Sequence, residues 1–495
     1  MSDLEYVSSV LDVTVSRVKA ASDLPALLAK VPGDEVVSVW SGPAIAGDGQ
    51  PTIVGAGVAR AFIAEPKSAK TEPCERAESA GPSAEEVNIS ILDHPSYSDL
   101  LNRLTPHPPR EGARVSHQPH MGVAGDAWLQ FARSCRGTDS LEARELEAQT
   151  GIRLPVGLMS FGFGPHAPGI ILAPRETWIE YEGSVWHISL RSSTPDQAKH
   201  TRETAASQRE ARSFGSQPNR LVAPRGLSLD TGTMSRRTWA TAVSQVIELL
   251  GHGHAQKAVM ARDLEVSASS PIDPRYVCAQ LTRTYPTCWI FSVAGLTGAS
   301  PEMLASVRDG VIKSRVLAGT CAPGDGHALL ESAKDREEHH LAVESVTRAL
   351  GPITSALDAA REPFLLDLPN VTHLATDVRA TLSRNHAQSA SICVVVSALH
   401  PTAAVGGTPT EEAFTILSRH ELTERGRYSG PVGWIDAAGE GACAIALRCG
   451  QLSADRHSIR VFAGGGIMPD SDPDLEVAET QAKMRPVLQA LGLDT

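Results

Sequence analysis

Helical spacing of apolar residues is clearest in two stretches of the C-terminal half of the chain. Residues 237–250 place Trp, Val, Ile and Leu side chains on one face, and Gly251 follows them. Residues 331–350 form a second such stretch and run into Gly351-Pro352, a pair that does not continue a helix. The spacing therefore predicts two helices, each ended by a glycine.

Alternating apolar and polar positions predict strands on both sides of these helices. Residues 304–308 and 311–318 flank Asp309-Gly310, a dipeptide that suits the type I′ turn of a β-hairpin. Residues 177–181 and 184–190 form a second hairpin pattern. Further strands are predicted at 170–173, and also at 431–436, 442–448 and 458–463, which we expect to form an antiparallel meander.

Three polar stretches interrupt the N-terminal half. Residues 64–92 are rich in Pro, Ser, Ala and charge, a composition typical of a surface insertion. Residues 104–120 carry four Pro and three His without an apolar period, so we interpret these histidines as loop residues. Residues 192–219 are polar and are predicted to be a linker or a long exposed connection. From about residue 233 the chain is more densely patterned.

Helices set among short-looped antiparallel strands indicate an α+β fold rather than a doubly wound parallel sheet. No G-x-G-x-x-G follows a predicted strand and no G-K-S/T is present, so a nucleotide-binding fold is not indicated. At 495 residues the chain is long enough to bury a large core, as one large domain or as several ordinary ones.

Charge and composition narrow the classes of partner and compartment. The net charge of −12 argues against non-specific binding to nucleic acid or to a membrane surface. No apolar run approaches the length of a membrane span, and the acidic N-terminus lacks the features of a signal peptide. The eight cysteines show no C-x-x-C spacing, so neither a zinc site nor a disulfide framework is indicated. We expect a cytoplasmic protein with reduced thiols.

An acidic block near the C-terminus carries the most candidate chemistry. Asp472 followed by Pro473 predicts a helix start, with Asp as the N-cap and Pro in the first turn. In that helix Glu476, Glu479 and Lys483 share one face. Two carboxylates and a cation on one face are suited to holding Mg²⁺ and a carboxylate of a substrate. Taken alone, the block is more typical of a solvated helix face with a Glu–Lys pair.

Two further blocks contain candidates for proton transfer. Lys257 opens an apolar strand, where a surface lysine is the commonest outcome. A lysine acting as a general base needs a pKa well below its usual value of about 10.4. Glu302 ends the tripeptide Ser300-Pro301-Glu302, which by itself favours a helix N-cap with Glu complementing the dipole. With a raised pKa, Glu302 would instead serve as a general acid.

A carboxylate on a buried face of the 331–350 helix would complete a two-helix Mg²⁺ site. Residues 334–339 supply such carboxylates, although by themselves they fit an ordinary charged segment. Mg²⁺ takes one or two protein carboxylates and fills the rest of its roughly six positions with water or substrate oxygen. Residues 399–409, expected between a strand and a helix, are apolar and glycine-rich, which indicates close approach of backbone to a ligand or a buried connection.

Taken in order, these blocks resemble the chorismate-utilising enzymes, the family of anthranilate, aminodeoxychorismate, isochorismate and salicylate synthases. The resemblance implies a large antiparallel two-sheet core with helices packed outside and the active site between the sheets. It also implies that residues 1–232 are the variable half of the same fold and that 233–495 are the chorismate-binding catalytic region. Nine stretches are similar, in the family's order: 257–262, 298–304, 317–320, 334–339, 371–374, 399–409, 428–434, 446–448 and 463–483.

The resemblance also implies a role for each matched residue. Glu338 and Glu479 would be the Mg²⁺ ligands, with Glu476 supporting them through water. His373 would line the pocket of the substrate ring. The whole set expected to hold chorismate is Gly319, Thr320, His373, Ala404, Thr408, Arg448, Gly464, Gly465 and Lys483.

Lys257 indicates the subgroup of the family. Members that add ammonia at C2 of chorismate lack this lysine, whereas members that add water have it, because water needs a base. Lys257 would therefore deprotonate the water that attacks C2, and Glu302 would protonate the departing C4 hydroxyl. The expected product is isochorismate, a precursor for menaquinone or siderophore biosynthesis.

Three other functions are weighed against this one. A salicylate synthase shares Lys257 and then eliminates pyruvate from the same intermediate, although residues 400–409 and 428–434 are more similar to dedicated isochorismate synthases. A non-catalytic paralogue is expected to have lost at least one of four groups that are all present: Lys257, Glu302, Glu338 and Glu479. An aminating enzyme with a glutamine amidotransferase partner is disfavoured by the lysine.

Overall fold

A computed structural model describes residues 10–18, 23–43, 50–66, 87–104, 119–164, 167–192, 219–321, 326–368 and 371–493. The pairings between its strands are antiparallel and form one hydrogen-bonded network with two branches. The branches share two long neighbouring strands, β3 (Thr52–Pro66) and β6 (Gly169–Tyr181). The fold class predicted from the sequence, α+β with a large antiparallel core, is confirmed.

The first branch runs from the N-terminal strand to the strand that begins at Lys257. It contains β1 (Leu11–Val18), β7 (Ser184–Ser192), β6, β3, β2 (Val37–Ser41), β10 (Trp289–Val293), β11 (Leu296–Ser300), β20 (Cys449–Leu452), β21 (Ser458–Ile467) and β9 (Lys257–Ser267), in that order. Two short strands pair with the outer edge of β9: β8 (Ser228–Asp230) and β17 (Gly407–Thr408).

The second branch continues from the other end of the shared strands. Its order is β4 (Val87–Asp93), β3, β6, β5 (Gly157–Ser160), β18 (Pro431–Ile435), β19 (Gly441–Ile445), β12 (Met303–Arg308), β13 (Val311–Cys321) and β16 (Val371–Leu382). Strands β14 (Thr354–Ala359) and β15 (Phe364–Leu368) both pair with β16.

The inner faces of the two branches meet, because β10 lies against β5 and β18 without pairing with them. One apolar core joins Trp40 and Phe291 of the first branch to Leu158 and Trp434 of the second. Burying both inner faces in this way is the usual solution for two antiparallel sheets.

Helices cover the remaining faces. They are α1 (Leu24–Leu28), α2 (Tyr97–Arg103), α3 (Pro119–Ser134), α4 (Leu141–Thr150), α5 (Arg236–Gly251), α6 (Pro274–Thr284), α7 (Gly326–Glu331), α8 (Ala333–Leu350), α9 (Ser391–Leu399), α10 (Thr410–His420) and α11 (Pro473–Leu491). Helix α11 packs on β21 and helix α8 on β13, so each helix lies near the far end of one branch. Among the described helices, none is both long and apolar enough to cross a membrane.

The N-terminal half is more regular than its composition indicates. The surface insertion predicted at 64–92 is wrong at both ends, because residues 64–66 complete β3 and 87–92 lie in β4. Val87, Ile89 and Ile91 alternate with polar neighbours, a period of two that marks a strand. Residues 67–86, and 193–218 of the predicted linker, lie outside the described residues.

The loop predicted at 104–120 is wrong for His120, which is buried in α3. Met121, Ala124, Trp128 and Phe131 follow it at helical spacing and are buried too. Residues 105–118 of the predicted loop lie outside the described part of the chain.

Local sequence patterns in the C-terminal half predicted the elements and the hairpin, but not the pairing of strands that are distant in the sequence. Helix α5 and the β12–β13 hairpin are confirmed. The predicted meander is confirmed for β18 and β19, which pair with each other, but it is wrong for the third strand, because β19 also pairs with β12 and β21 pairs with β9 and β20. The strand predicted to reach Arg448 ends at Ile445, since the positive φ of Arg448 turns the chain into β20.

Two predicted elements near the site differ in type or extent. Ser332 divides the predicted 331–350 helix, because its Oγ caps α8 by accepting from the amide of Asp335. Helix α9 precedes the 399–409 segment where a strand was expected. Its β-branched run suggests a strand, but the buried Ile392, Val395 and Leu399 lie at helical spacing.

The β12–β13 hairpin offers a test of the turn that sets its register. Asp309 and Gly310 have φ of 51° and 70°, and a Cβ at Gly310 would meet no heavy atom within 4 Å. Gly310→Ala is therefore expected to lower the free energy of unfolding by about 1 kcal/mol through backbone strain alone. Denaturant unfolding measures this change.

Gly251→Ala is the matched control, because Gly251 is equally open but ends helix α5. Alanine there is expected to stabilise the protein by about 0.5 kcal/mol. Equal effects of the two substitutions would contradict the turn assignment.

Candidate active site

Lys257 links the two branches through an ion pair. It is the first residue of β9 in the first branch, and its Nζ lies 3.5 Å from Oε1 of Glu338 on α8, which packs on the second branch. The side chains of Lys257 and Glu338 are 26% and 43% exposed, so the pair faces an accessible space. The structure thus brings the predicted base to one of the predicted Mg²⁺ ligands.

Three consecutive glycines on β21 allow side chains to lie directly over the strand. A Cβ at Gly466 would come within 2.8 Å of Cε of Lys257, and one at Gly465 would collide with Oε2 of Glu476. Gly464 presents its carbonyl to Lys483, whose Nζ donates to it at 3.0 Å. Larger residues at these positions would displace the groups that line the site.

The helix that carries the acidic block begins as predicted. Asp472 caps α11 by accepting from the amides of residues 474 and 475, with Pro473 in the first turn. Lys483 pairs with Glu479 one turn before it. Ser471 donates to Oε1 of Glu476 at 2.8 Å, whereas Oε2 is buried without a hydrogen-bond partner among the described residues.

Burial and the neighbouring charge of Glu479 raise the pKa of Glu476. The hydrogen bond from Ser471 and the charges of Lys483 and Lys257 act in the opposite direction. Lys257 is therefore close enough to influence Glu476 on α11 as well as to contact Glu338 on α8. The two helices face each other across this lysine.

Glu302 lies between two strands rather than at the helix start favoured by its tripeptide. It connects β11 to β12, where its amide donates to Oγ of Ser300 and its carbonyl accepts from the amide of Ile445. Removal from water raises the pKa of Glu302 to about 7, against the opposing charges of Arg448, Lys257 and Lys483. A carboxyl that is substantially protonated near neutral pH has the property of a general acid.

Arg448 and His373 belong to the same electrostatic environment. The Arg448 charge lowers the pKa of both Glu302 and His373, so it lies near both groups. Burial lowers the pKa of His373, which is hydrogen-bonded to the backbone of Gly319. Gly319, with φ of 76°, lies where the β13–β16 register shifts, and Thr320 is opposite His373 in that pairing. An uncharged histidine ring is suited to lining a pocket.

Ala404 and Thr408 lie on the segment that joins α9 to α10. Thr408 pairs with Lys257 through β17. Gly407 precedes it with φ of 133°, and a Cβ there would also collide with the Lys257 carbonyl oxygen. Ala404 is exposed and lines a cavity of about 450 Å³ that Glu302 also lines. The segment that carries Ala404 and Thr408 therefore contacts the strand of Lys257 at one end and borders the cavity beside Glu302 at the other.

Tyr428 is a group that the residue-by-residue prediction did not assign. It is buried and stacks on Phe462, and its Oη would lie 3.3 Å from a Cβ at Gly464. Burial raises the pKa of the Tyr428 hydroxyl to about 12, so it remains a hydrogen-bond donor at neutral pH. The only signal in the sequence was its place in the 428–434 block.

A model of the family described as chorismate binding enzyme matches residues 170–492, which is well over half of the chain. The chain belongs to the chorismate-binding enzyme family. The resemblance inferred from the nine sequence blocks is therefore confirmed, and the region from β9 to α11 that forms the site lies within the matched residues.

Curated relatives include several isochorismate synthases. The salicylate biosynthesis isochorismate synthase of Pseudomonas aeruginosa is 37% identical over 282 residues, 54% of this chain and 58% of that protein. The isochorismate synthase MenF of Bacillus subtilis is 33% identical over 271 residues, 52% of this chain and 56% of the relative. The match therefore spans little more than half the length of either relative.

Two solved structures share the fold. The menaquinone-specific isochorismate synthase MenF of Escherichia coli has a TM-score of 0.66 at 20% identity, covering 98% of this chain and 95% of that one. Anthranilate synthase component I of Streptococcus pneumoniae has a TM-score of 0.57 at 15% identity, covering 89% and 92%. An isochorismate synthase and an anthranilate synthase component therefore both share the fold of this chain, and the fold alone does not distinguish these activities.

The carboxylates of the site fit a hard divalent cation such as Mg²⁺. Glu338, Glu476 and Glu479 offer oxygen donors only, and Oε2 of Glu476 has no partner within the described ranges. Lysines are paired with the other two carboxylates, and no group of three or more acidic, His or Cys side chains forms a ready-made metal cage in the described part of the chain. Mg²⁺ prefers oxygen donors and binds one or two protein carboxylates, with water or substrate oxygen in its other positions.

The raised pKa of Glu302 predicts a trade-off between stability and activity. Above its usual pKa of 4.5 the unfolded state loses this proton, while the folded state keeps it until about pH 7. The carboxyl therefore destabilises the fold increasingly as pH rises between these values. Glu302→Gln is expected to stabilise the ligand-free protein by about 1–3 kcal/mol at pH 8 and by much less at pH 5.

Denaturant unfolding at the two pH values measures this difference. Glu362→Gln is the control, because Glu362 is 72% exposed and paired only with Arg336 on the surface. A Glu302→Gln variant with the same stability as wild type at pH 8 would contradict the buried, protonated carboxyl.

Proposed function

We propose that this protein is an Mg²⁺-dependent isochorismate synthase, which converts chorismate to isochorismate. The observation that carries the proposal is the position of Lys257, 3.5 Å from Glu338 and close enough to influence the pKa of Glu302 and Glu476. The relatives named isochorismate synthase support the same reading. An amine in this position can act as a general base when water is the nucleophile, because water must lose a proton as it attacks.

The cations and backbone groups of the site suit a small dicarboxylate. Lys483 and Arg448 supply positive charge, and the glycines at 464 and 465 add no side chain to the strand next to Lys483. The backbone at Gly319 and Thr320 lies on the opposite branch, next to His373. We assign these groups to the carboxylates and ring of chorismate, with Ala404 and Thr408 closing the pocket on the side of the 399–409 segment.

The proposed reaction exchanges one water for another. Nζ of Lys257 accepts a proton from the water whose oxygen bonds to C2, the ring double bonds shift, and the C4–O bond breaks. Glu302 gives its proton to the departing oxygen, so a second water leaves and the product is an isomer of the substrate. Lys257 and Glu302 return to their starting protonation states through solvent.

Two features of the described groups support these roles. The pKa of about 7 leaves Glu302 a proton to donate at neutral pH. Nζ of Lys257 lies 3.5 Å from Oε1 of Glu338, so the proposed base is in contact with a carboxylate that is proposed to bind Mg²⁺. When bound by Glu338 and Glu479, with Glu476 in support, Mg²⁺ would supply electrophilic stabilisation of the ring carboxylate.

Product analysis after incubation with chorismate and Mg²⁺ tests the proposed activity. The expected result is formation of isochorismate up to an equilibrium mixture with chorismate. Salicylate with an equal amount of pyruvate would change the assignment to the lyase that continues from the same intermediate. Absence of turnover, with Mg²⁺ still bound, would indicate a non-catalytic paralogue.

Lys257→Gln is expected to lower kcat by about 10²–10⁴-fold, because the attacking water loses its base. Mg²⁺ binding, followed by calorimetry, is expected to remain near the wild-type value. Lys313→Gln is the control, since Lys313 is exposed on β13. A Lys257 variant that keeps most of its turnover would contradict the base assignment.

Glu338→Gln is expected to raise the Mg²⁺ concentration for half-maximal activity by at least about tenfold, because changes even to partners of metal ligands have effects of that size. Glu344→Gln lies on the same helix, where Glu344 pairs with Arg348 on the surface, and should leave the Mg²⁺ dependence unchanged. Identical Mg²⁺ titrations of the two variants would contradict the ligand assignment.

A further inference from the structure

Arg425 lies buried beside the strand that begins with Lys257. The side chains of Arg425 and its partner Glu421 are 4% and 7% exposed. The guanidinium stacks on the ring of Phe163, with 4.0 Å between its carbon and the ring centre. Phe163 in turn stacks on Phe414 of α10. An arginine that is ion-paired and stacked on an aromatic ring is held rigidly, because its planar guanidinium has few alternative arrangements.

The guanidinium links two backbone segments that border the site. Its Nη1 donates to the Val405 carbonyl at 2.8 Å, and its Nη2 donates to the Val259 carbonyl. Nε and Nη2 also donate to the two carboxylate oxygens of Glu421, at 2.6 and 2.7 Å. Val405 belongs to the 399–409 segment, and Val259 follows Lys257 by two residues on β9.

Glu421 completes the link from the other side. Its Oε2 accepts from the amide of Ala261 at 2.7 Å, two residues further along β9. Arg425 and Glu421 together therefore satisfy a carbonyl and an amide on the same strand. A single uncharged side chain does not offer both sets of donors and acceptors.

This pair takes the place of a missing strand on the outer edge of β9. Strand β17 bonds that edge as far as Val259, whose amide donates to the Gly406 carbonyl, and β8 bonds it again from Glu265. Between them, Arg425 meets the Val259 carbonyl, Glu421 the Ala261 amide, and Trp239 Nε1 the Ala261 carbonyl. Side chains thus provide the hydrogen bonds that a neighbouring strand would otherwise make.

We propose that Arg425 and Glu421 are positioning residues, which hold the start of β9 against the 399–409 segment and so fix Lys257 relative to the substrate. The inference rests on the proposed function, since it assigns a purpose to the placement of the proposed base. Neither side chain is among the groups assigned to substrate or Mg²⁺. Their effect on the reaction would pass through the backbone at Val259, Ala261 and Val405.

The test compares Arg425→Lys and Arg425→Leu with matched changes at Arg427. Arg427 is equally buried and also donates to carbonyls, but those belong to Val293 and Ala294 at the turn between β10 and β11. Arg425→Leu is expected to lower kcat by about 10–100-fold with little change in KM for chorismate, because the reacting groups lose alignment. Arg425→Lys, which keeps the charge and one donor direction, is expected to recover part of kcat.

Backbone hydrogen exchange gives a readout that does not depend on activity. In both Arg425 variants and in Glu421→Gln, the amides of Val259 and Ala261 are expected to exchange faster, whereas the Arg427 variants should leave them protected. Exchange in the β13 strand serves as an internal reference for overall folding. Loss of protection throughout the Arg425→Leu protein would mean that this variant is unfolded. The Arg425→Lys and Glu421→Gln variants then test the proposal.

Unchanged protection of β9 in the Arg425→Lys and Glu421→Gln variants would overturn the proposal, as would a kcat no lower than that of the Arg427 controls. If exchange in β9 is faster in the variants but the wild-type protein forms no isochorismate, the proposed function is contradicted. The structural role of Arg425 and Glu421 is then retained. The two failures are therefore distinguishable.

Discussion

The site depends on how closely side chains approach the backbone of β21. Gly465 and Gly466 leave room for Glu476 from α11 and for Lys257 from the neighbouring strand, and a Cβ at either position would occupy that room. This approach lets a helix on the outside of the first branch and the edge strand β9 contribute to one site. A side chain at Gly466 would displace the Lys257 amine from its position 3.5 Å from Glu338. The close packing over glycine is thus the constraint from which the rest of the arrangement follows.

The proposed anionic substrate is compatible with an acidic protein, because the charge of the site is local. Lys257 pairs with Glu338 and Lys483 with Glu479, and the charge of Arg448 acts on Glu302, so the cations and carboxylates of the site nearly balance before any ligand binds. Burial raises the pKa of Glu302 to about 7, so this carboxyl carries less negative charge near neutral pH than an exposed glutamate does. A substrate with two carboxylates would leave the site negative, and a divalent cation would restore the balance. This reasoning supports the proposed use of Mg²⁺.

Sequence reasoning was accurate where the decisive interactions are local. The start of α11 follows from Asp472 and Pro473, and the β12–β13 hairpin from Asp309-Gly310. The family resemblance then named residues from distant parts of the chain, and the structure brings Lys257 into contact with Glu338 and Lys483 into contact with Glu479. The chemical roles of these residues stay predictions, which the substitutions proposed above test.

Non-local interactions account for what the sequence did not predict. The partner of β19 is β12, more than a hundred residues earlier in the chain, and no local pattern specifies that choice. The run of β-branched residues in α9 favours a strand until its packing against α3 and α8 is known. Arg425 resembles any charged residue after a helix, and its buried contacts with β9 appear only in three dimensions.

The central claim is that solvent water, activated by Lys257, becomes the new hydroxyl at C2. Turnover of chorismate in ¹⁸O-labelled water, with mass spectrometry of the product, tests this claim most directly. The account predicts isochorismate that carries one ¹⁸O, located on C2, after a single passage through the site. Isochorismate that retains the original C4 oxygen would show an internal transfer of the hydroxyl and would contradict the account.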